Sequence, residues 1–345
     1  MPYTVDKIDL EALSDADLQP FVDLFNTIER EIRPRNVDFN VDEFKLFLSS
    51  PGRIRHRFAA FDEAERVVGL GQASHSDDGS NPDVLRCEIQ VDSDDRRSGV
   101  GTALLSRIVE LAESLDRNRL LGWHYDTIPA GAAFASAIGA TEGLEYHMNM
   151  VRIADLDAYE LASWNDLGPH RAPGYTVDVI VGAWPESMLE DIAHLYYVLE
   201  RDMPMTEGIQ PREWSAELVA SVQEHYQRGT QSISAVAMHN ESSRVVGLSQ
   251  LIRRINDPTT WIVTTTMVDP EHRGNGLGKW LKAATNLTAL DRWPGGVYEE
   301  TGNAFTNEAM LAINRQMGFE HELTTTDVDV SVDDARKYLE SRNPE

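Results

Sequence analysis

The feature that most constrains the fold of this chain is an internal repeat. Three patterns occur twice in the same order: RVVGL at 66–70 and 244–248, Arg-x-x-Gly-x-Gly from Arg96 and Arg273, and a glycine at Gly139 and Gly318. The two copies of these patterns are 178, 177 and 179 residues apart. Ordered patterns at a nearly constant offset are the signature of a duplicated structural unit. We therefore predict a tandem duplication of one domain.

The domain boundaries follow from this repeat. At 345 residues the chain is too long for one typical hydrophobic core, so two domains are expected. The stretch 163–174, SWNDLGPHRAPG, is polar and carries Gly and Pro, which is typical of a connection. We place an N-terminal domain at 1–165 and a C-terminal domain at 172–345.

Each copy alternates helical and β-strand patterns. In the first copy, apolar residues at helical spacing predict a helical region over 8–32. Alternating or apolar runs predict the strands 54–62, 66–76, 84–91, 120–126 and 145–153. A helix follows the third of these strands, a short helix follows the fourth, and the second copy repeats the order.

The stretch 268–281, VDPEHRGNGLGKWL, joins a predicted strand to a predicted helix. A glycine-rich turn at this point brings together free backbone N–H groups and the positive end of a helix dipole. Gly276 and Gly278 leave no side chain to keep a pyrophosphate from the backbone, and Arg273 adds a fixed positive charge. The pattern matches neither a P-loop nor the dinucleotide fingerprint. It predicts a pyrophosphate-binding loop, with an ordinary tight turn as the alternative.

This spacing, after a strand that ends in Val268, resembles the acetyl-CoA pyrophosphate loop of the GNAT N-acetyltransferase superfamily. The later strand VYEET and the segment 303–319, with its Met-Gly-Phe ending, are also similar to that family. The resemblance covers nearly the whole chain, twice over. It implies an α/β (α+β) fold of two tandem GNAT domains, each a mixed twisted sheet flanked by helices.

The resemblance implies acetyl-CoA as the acyl donor, and two sets of cofactor-binding residues. In the second copy these are Met267, Val268, Arg273, Gly274, Asn275, Gly276, Leu277, Gly278 and Lys279. In the first copy they are Val91, Arg96, Arg97, Ser98, Gly99, Val100, Gly101 and Thr102. Two parallel strands splay apart before such a loop in this fold. The backbone N–H groups of Met267 and Val268 are therefore expected to hold the thioester oxygen.

The resemblance also implies direct acyl transfer from the thioester to an amine, with both bound together and no acyl-enzyme. The amine must lose a proton to a base or through a water path. The strand before the loop offers no carboxylate, and the nearest candidates are Glu299 and Glu300 on the neighbouring strand. If they alternate faces, only one points into the site. An exposed strand-end charge is the alternative for either glutamate.

Asparagines distinguish the second copy. The family often has a tyrosine four residues before the final Gly-Phe, whereas this chain has Asn314, which we take as a third catalytic candidate. An amide is no general acid at neutral pH, but it can hydrogen-bond the thiol or the cofactor. Asn307 lies two helical turns before Asn314, so the two share a face, and with Asn303 they are predicted to line a cofactor channel.

The first copy has alanines in the corresponding helix, Ala132, Ala133 and Ala135. We therefore expect its domain to be degenerate or structural, and the C-terminal domain to be the active one. The first copy nevertheless keeps the glycine-rich loop, and it carries Glu88 before the loop and His124 with Tyr125 on the next strand. A solvated face and a packed histidine are the alternatives for these residues.

The composition limits the partners. A formal net charge of −26 disfavours nucleic acid and anionic membranes. It favours a cationic substrate such as an amine if the charge gathers near a cleft, and solubility is the alternative role of the acidic surface. Cys87 is the one cysteine, so no internal disulfide forms and no Cys/His cluster suggests zinc or another metal. The N-terminus lacks the pattern of a signal peptide. We expect a cytoplasmic enzyme, as a monomer or homodimer.

Together these observations predict an acetyl-CoA-dependent N-acetyltransferase that acts on a small-molecule amine through a ternary complex. Acetylation of proteins or peptides is an enzymatic alternative. A non-catalytic acetyl-CoA-binding sensor or scaffold is the alternative of another class, because the tyrosine and the strand carboxylate are missing. The acceptor amine is not specified by the sequence.

Overall fold

The computed structural model describes residues 3–203, 206–304 and 308–342. The strands are β1 Thr4–Ile8, β2 Arg53–Phe61, β3 Val67–Ser76, β4 Val84–Val91, β5 Arg119–Tyr125, β6 Thr141–Arg152, β7 Tyr175–Val181, β8 Thr230–His239, β9 Arg244–Arg254, β10 Thr260–Val268, β11 Tyr298–Ala304 and β12 Glu320–Ser331. The helices are α1 Asp15–Ile32, α2 Val41–Leu48, α3 Val100–Ser114, α4 Pro129–Ala137, α5 Ala158–Arg171, α6 Leu189–Asp202, α7 Ala216–Gln227, α8 Leu277–Arg292, α9 Glu308–Gln316 and α10 Val332–Arg342. Elements thus alternate along the chain as an α/β (α+β) fold requires.

The described residues form two compact units. The first unit comprises 3–145, 206–209 and 323–342, and the second comprises 146–203, 210–304 and 308–322. In the first unit the strands lie in the order β1-β2-β3-β4-β5-β12, and in the second in the order β6-β11-β10-β9-β8-β7. One described neighbour pair in each unit is parallel, β4 with β5 and β10 with β11. The other described pairs within the units are antiparallel.

The last strand and helix of each repeat belong to the unit built mainly from the other repeat. The N-terminal repeat ends in β6 and α5, which lie largely or wholly in the second unit, whereas β12 and α10 complete the first. Val330, Val332 and Ala335 are buried in the same apolar cluster as Leu105 and Leu120 of the first unit. The predicted boundaries 1–165 and 172–345 describe the repeat in the sequence, whereas packing divides the chain differently.

The predicted connection 163–174 is mostly helical. It forms the greater part of α5, which packs along α8 within the second unit. A Cβ placed on Gly168 would lie 2.2 Å from Cδ2 of Trp280, so the glycine permits the close approach of the two helices. Gly168 and Pro169 therefore belong to this helix, whereas Pro173 and Gly174 form the turn that follows it.

The N-terminal region also differs from its prediction. Residues 4–8 form β1 and pair with β2, ahead of the helix expected over 8–32. The helix itself begins at Asp15, because the Ser14 side chain accepts a hydrogen bond from the backbone N–H of Asp17 and caps the first turn.

Helices cover both faces of the second unit's sheet. On one face α8 buries Leu281 and Ala284 against Ala235 and Ala237 of β8. On the opposite face, α6 and α7 pack on an apolar cluster that includes Val236, the residue between those two alanines. Because side chains alternate along a strand, these two sets define the α8 face and the α6–α7 face.

No helix in the described part of the chain is both long and apolar enough to cross a membrane.

Candidate active site

The glycine-rich loop of the second unit leads directly into α8. Gly274 and Gly276 have φ angles of 83° and 77°, in the left-handed region that favours glycine. A Cβ added at either would meet no heavy atom of the described residues within 4 Å. Gly276 precedes α8 and offers no side chain to cap the first N–H groups of the helix. The loop therefore presents backbone donors and the positive helix end to open space.

Arg273 braces this loop. Its Nε donates to the carbonyl of Val268 at 2.9 Å, and its guanidinium lies 2.6 Å from Oδ2 of Asp202 at the end of α6. Asn275 donates to the carbonyl of His272 at 3.0 Å. The Arg273 side chain is 50% exposed, so it can still face an anion outside the loop.

The first turn of α8 is fixed by its neighbours in the second unit. Leu277 is buried, and a Cβ on Gly278 would lie 3.5 Å from Cδ1 of Ile313 on α9. Nζ of Lys279 lies 4.7 Å from the ring centroid of Trp164. This helix end is therefore held between α5 and α9 while its N-terminus stays open.

The parallel strands β10 and β11 separate before they reach the loop. Their register runs from Thr260 with Tyr298 to Val263 with Thr301 and stops there. A register shift against β9 lies between Val263 and Thr265, which is a β-bulge. We call the space beyond the last pair, bounded by 264–268 and 302–304, the strand opening.

The bulge redirects the side chains at the end of β10. Before it, Trp261 and Val263 belong to the apolar cluster on the α8 face. After it, Met267 packs in the cluster on the α6–α7 face, and Val268 packs on the α8 face. The two residues predicted to hold the thioester oxygen thus lie along the strand opening, with their side chains on opposite faces.

A chain of polar side chains runs from the core of the α8 face to the strand opening. Nζ of Lys282 donates to Oδ1 of Asn314 at 2.9 Å, and Nδ2 of Asn314 donates to Oδ1 of Asn303 at 2.6 Å. Lys282 and Asn314 are 1% and 2% exposed, whereas Asn303 is partly exposed. Two of the predicted asparagines are therefore in contact, and the third, Asn307, lies outside the described residues.

Glu299 lies on the same face and is fully buried. Nδ2 of Asn286 lies 3.3 Å from its Oε1, while Oε2 has no hydrogen-bond partner among the described residues. Burial raises the pKa of Glu299 to about 7, although Lys282 and the hydrogen bond from Asn286 act in the opposite direction. Burial likewise lowers the pKa of Lys282 to about 8, and the Glu299 carboxylate opposes this shift. The two groups form a coupled pair inside the core.

Glu300 points to the other face of the sheet. It follows Glu299 directly in β11, and side chains alternate along a strand, so its carboxyl lies on the α6–α7 face. It is 6% exposed. Thr265, also buried, follows the bulge with the parity of Met267, and its hydroxyl has no partner among the described residues. Of the two predicted glutamates, one is thus enclosed beside α8 and the other faces α6 and α7.

The first unit has a similar loop. Gly99 has a φ of 102° and precedes α3 without a side-chain cap. Arg96 donates to the carbonyl of Val91 at 3.1 Å and makes two hydrogen bonds to the carboxylate of Glu31. Arg97 has a positive φ of 61°.

The other predicted residues of the first loop are held by local contacts. Ser98 donates to the carbonyl of Asp95, Val100 is buried, and a Cβ on Gly101 would lie 3.7 Å from the Phe134 ring. The Thr102 hydroxyl lies 3.2 Å from that of Tyr338 on α10.

The parallel strands β4 and β5 of the first unit also separate before the loop. The pairing of β4 with β5 ends at Arg86 with Leu121. Glu88 follows on β4 and accepts a hydrogen bond from Gln90 at 2.8 Å. Burial raises the pKa of Glu88 to about 7, and burial with the field of Glu88 raises the pKa of Tyr125 to about 12. Nε2 of His124 lies 3.4 Å from Oε1 of Glu142.

The buried polar chain has no counterpart in the first unit. At the repeat offsets of 177 and 179, Lys282, Asn286 and Glu299 correspond to Leu105, Val109 and Leu120, all in the apolar core. Sequence reasoning did not identify Lys282 or Asn286 as site residues, because their contacts with Asn314 and Glu299 join segments far apart in the chain. The aligned leucine and valine of the first repeat were the available signal.

The fold matches that of solved GNAT proteins. A structure described as a tandem GNAT protein from the clavulanic acid biosynthesis pathway has a TM-score of 0.76 at 22% identity, over 96% of this chain and 98% of that one. A GCN5-related N-acetyltransferase from Sphaerobacter thermophilus has a TM-score of 0.63 at 11% identity, over 96% of each chain. A fungal β-N-acetylglucosaminidase with a region described as a GCN5-related glucosamine N-acetyltransferase has a TM-score of 0.63 at 14% identity, over 95% of this chain and 38% of that one.

The chain therefore has the tandem GNAT fold, which confirms the fold that the sequence predicted. No family model matches the chain. The search of curated proteins finds no match either.

Proposed function

We propose that this protein transfers an acetyl group from acetyl-CoA directly to the amine of a small molecule, in a ternary complex at the second unit. The observation that carries the proposal is the loop at 274–276, whose glycines are left-handed and unobstructed and lead into an uncapped helix. Such a helix start suits a pyrophosphate. It lies at the end of β10, beside the strand opening, where a thioester arm can enter the sheet.

The cofactor would bind in two parts. The pyrophosphate would accept hydrogen bonds from the backbone of the loop and the first turn of α8, next to the Arg273 guanidinium. The thioester would lie in the strand opening, with its carbonyl oxygen near the backbone N–H groups of Met267 and Val268. Backbone donors that are already in place stabilise the negative charge that develops there during attack.

The amine would approach from the α6–α7 face. Glu300 is the carboxyl of β11 that lies on that face, and we assign it as the base that takes the amine proton. Glu299 is enclosed beside α8, so it is not the base in this proposal. A net charge of −26 favours the approach of a cationic amine over an anionic substrate.

The experiment is a calorimetric titration with acetyl-CoA, followed by a screen of small amines for release of free thiol. We expect acetyl-CoA to bind and at least one small amine to release CoA at a rate well above hydrolysis. If only peptide amines cause release of CoA, the acceptor is a peptide rather than a small molecule. Binding without release by any amine would favour a sensor, and absence of binding would contradict the proposal altogether.

A further inference from the structure

We propose that Lys282 is a positioning residue that acts through Asn314 and Asn303 to stabilise the thiolate that leaves when the acyl group is transferred. The inference rests on the proposed function, since it concerns the same thioester. It differs from that function in assigning a task to a buried cation that touches neither the cofactor nor the amine.

The directions of the hydrogen bonds from Lys282 to Asn303 follow from which groups can donate. An ammonium can only donate, so Asn314 must turn its Oδ1 towards Lys282 and its Nδ2 towards Asn303. Asn303 must then accept through Oδ1, which leaves its own Nδ2 as the last donor of the chain. A positive charge at the far end polarises each donor in turn. Nδ2 of Asn303, at the partly exposed end of this series of hydrogen bonds, is therefore a stronger donor than an isolated amide.

That end lies in the strand opening. Asn303 is two residues beyond Thr301, the last residue of β11 paired with β10. Lys282 is five residues into α8 from Leu277, so the same helix holds the predicted pyrophosphate end and the base of the polar chain. A thioester arm that starts at the loop and enters the opening would bring its sulfur towards Asn303.

The reaction needs a donor at this place. The amine nitrogen forms a bond to the acyl carbon, the C–S bond breaks, and its electron pair moves onto sulfur. The amine proton leaves through Glu300. The thiolate then carries the negative charge, which the Asn303 N–H accommodates until solvent protonates the sulfur. No proton passes along the amides, so at a pH below its pKa of about 8 Lys282 keeps its charge throughout the step.

Burial of these ionisable and polar side chains costs free energy, which argues that the hydrogen-bonded series has a role other than stability. Buried ionisable groups are often no more stabilising than apolar residues of similar volume. The first unit shows this alternative within the same fold, with Leu105, Val109 and Leu120 packed in place of Lys282, Asn286 and Glu299. The second unit keeps the ionic version and places it beside the strand opening.

The test is the pKa of the thiol of bound CoA, followed by the ultraviolet absorbance of the thiolate, in a Gly99→Val background so that only the second unit's loop is observed. We expect Lys282→Met to leave the calorimetric affinity for CoA within about threefold and to raise the bound thiol pKa by about one unit, which is a tenfold change. Asn303→Ala should raise it in the same direction. Turnover with acetyl-CoA should fall roughly tenfold to a hundredfold in kcat, with little change in KM.

Thr285→Val is the matched control. Thr285 is buried on the same face of α8, and its hydroxyl donates to the carbonyl of Leu281, outside the Lys282–Asn303 chain. It should leave the thiol pKa and kcat as in the parent. A Lys282→Met protein that binds CoA with the parent's affinity and the parent's thiol pKa would overturn the inference and leave the proposed function intact. Absence of CoA binding in the parent would overturn both.

A second variant guards against a purely structural role. The triple variant Lys282→Leu, Asn286→Val and Glu299→Leu installs the residues of the first unit. We expect it to fold at least as stably as the parent and to show the raised thiol pKa. A triple variant that fails to fold, together with an unshifted thiol pKa in Lys282→Met, would assign the network to stability alone.

Discussion

Lys282 and Glu299 are buried ionisable groups of opposite sign, and each changes the pKa of the other. In the folded chain the pKa of Lys282 is lowered from 10.5 to about 8, chiefly by burial. In the unfolded chain it returns to its ordinary value. Between these two values the unfolded state binds more protons than the folded state, so the free energy of unfolding rises with pH. Glu299 has the opposite effect at lower pH. Burial raises its folded pKa from 4.5 to about 7, so between these values its contribution to the free energy of unfolding falls as pH rises.

The first prediction is a pH dependence of stability. Between pH 8 and 10, the free energy of unfolding of wild type should rise relative to that of Lys282→Met by roughly 1–3 kcal/mol. Glu299 adds to this difference. Loss of the lysine raises the pKa of Glu299 further, so the free energy of unfolding of the mutant falls with rising pH as this carboxyl ionises. Denaturant titrations of both proteins across this range measure the difference, and parallel curves would show that Lys282 titrates normally.

The second prediction separates the two glutamates. Glu300→Gln removes the carboxyl on the α6–α7 face and should lower kcat about a hundredfold near neutral pH, as expected for loss of a positioned proton acceptor. CoA affinity should stay unchanged. Steady-state kinetics with the best amine of the screen give the result. If kcat stays near that of wild type, the amine loses its proton through water rather than through Glu300.

At the scale of elements, α5 and α8 of the second unit pack closely where Gly168 meets Trp280. Sequence reasoning took 163–174 as a linker because Gly and Pro usually interrupt helices. It could not foresee the packing of Gly168 on Trp280, since the two residues come from segments far apart in the chain. The same limit hid the Lys282–Asn314 contact. By contrast, the loop and the helix after it depend on local chemistry, and the sequence predicted both.

The third prediction concerns this helix contact. Gly168→Ala places a Cβ within 2.2 Å of the Trp280 ring and should lower the free energy of unfolding by about 1–3 kcal/mol, because the helices must move apart. Gly174→Ala is the control, since a Cβ there meets no heavy atom of the described residues within 4 Å. It should be neutral or slightly stabilising. Equal stability of the two variants in urea titrations would contradict the close contact.

At the scale of the whole molecule, the repeat in the sequence and the units in space do not coincide. Three similar patterns in the same order, together with the resemblance of the loop, were enough to predict two GNAT domains. They could not show which copy of the last strand and helix completes which unit, because β6 with α5 and β12 with α10 derive from similar sequences. That choice depends on pairing between distant segments, as in Leu120 with Val330.

The fourth prediction follows from this arrangement. A fragment of residues 1–172 lacks β12 and α10, so the first unit loses Val330, Val332 and Ala335 from its core. Burial of one valine side chain contributes about 1.5–3 kcal/mol, a large share of the stability of a domain. The fragment should bind a hydrophobic dye and aggregate. A soluble, monomeric fragment with a cooperative thermal transition would show that β6 and α5 can replace the missing elements.

The central claim is that the second unit carries out acyl transfer at its glycine-rich loop. The most direct test compares CoA release with the best amine in Gly276→Val and Gly99→Val, because valine disfavours the left-handed backbone of both positions. We predict that Gly276→Val lowers kcat/KM at least a hundredfold and that Gly99→Val lowers it far less. Activity that survives Gly276→Val and is lost in Gly99→Val would contradict the account, and would move the active site to Glu88 and Tyr125 of the first unit.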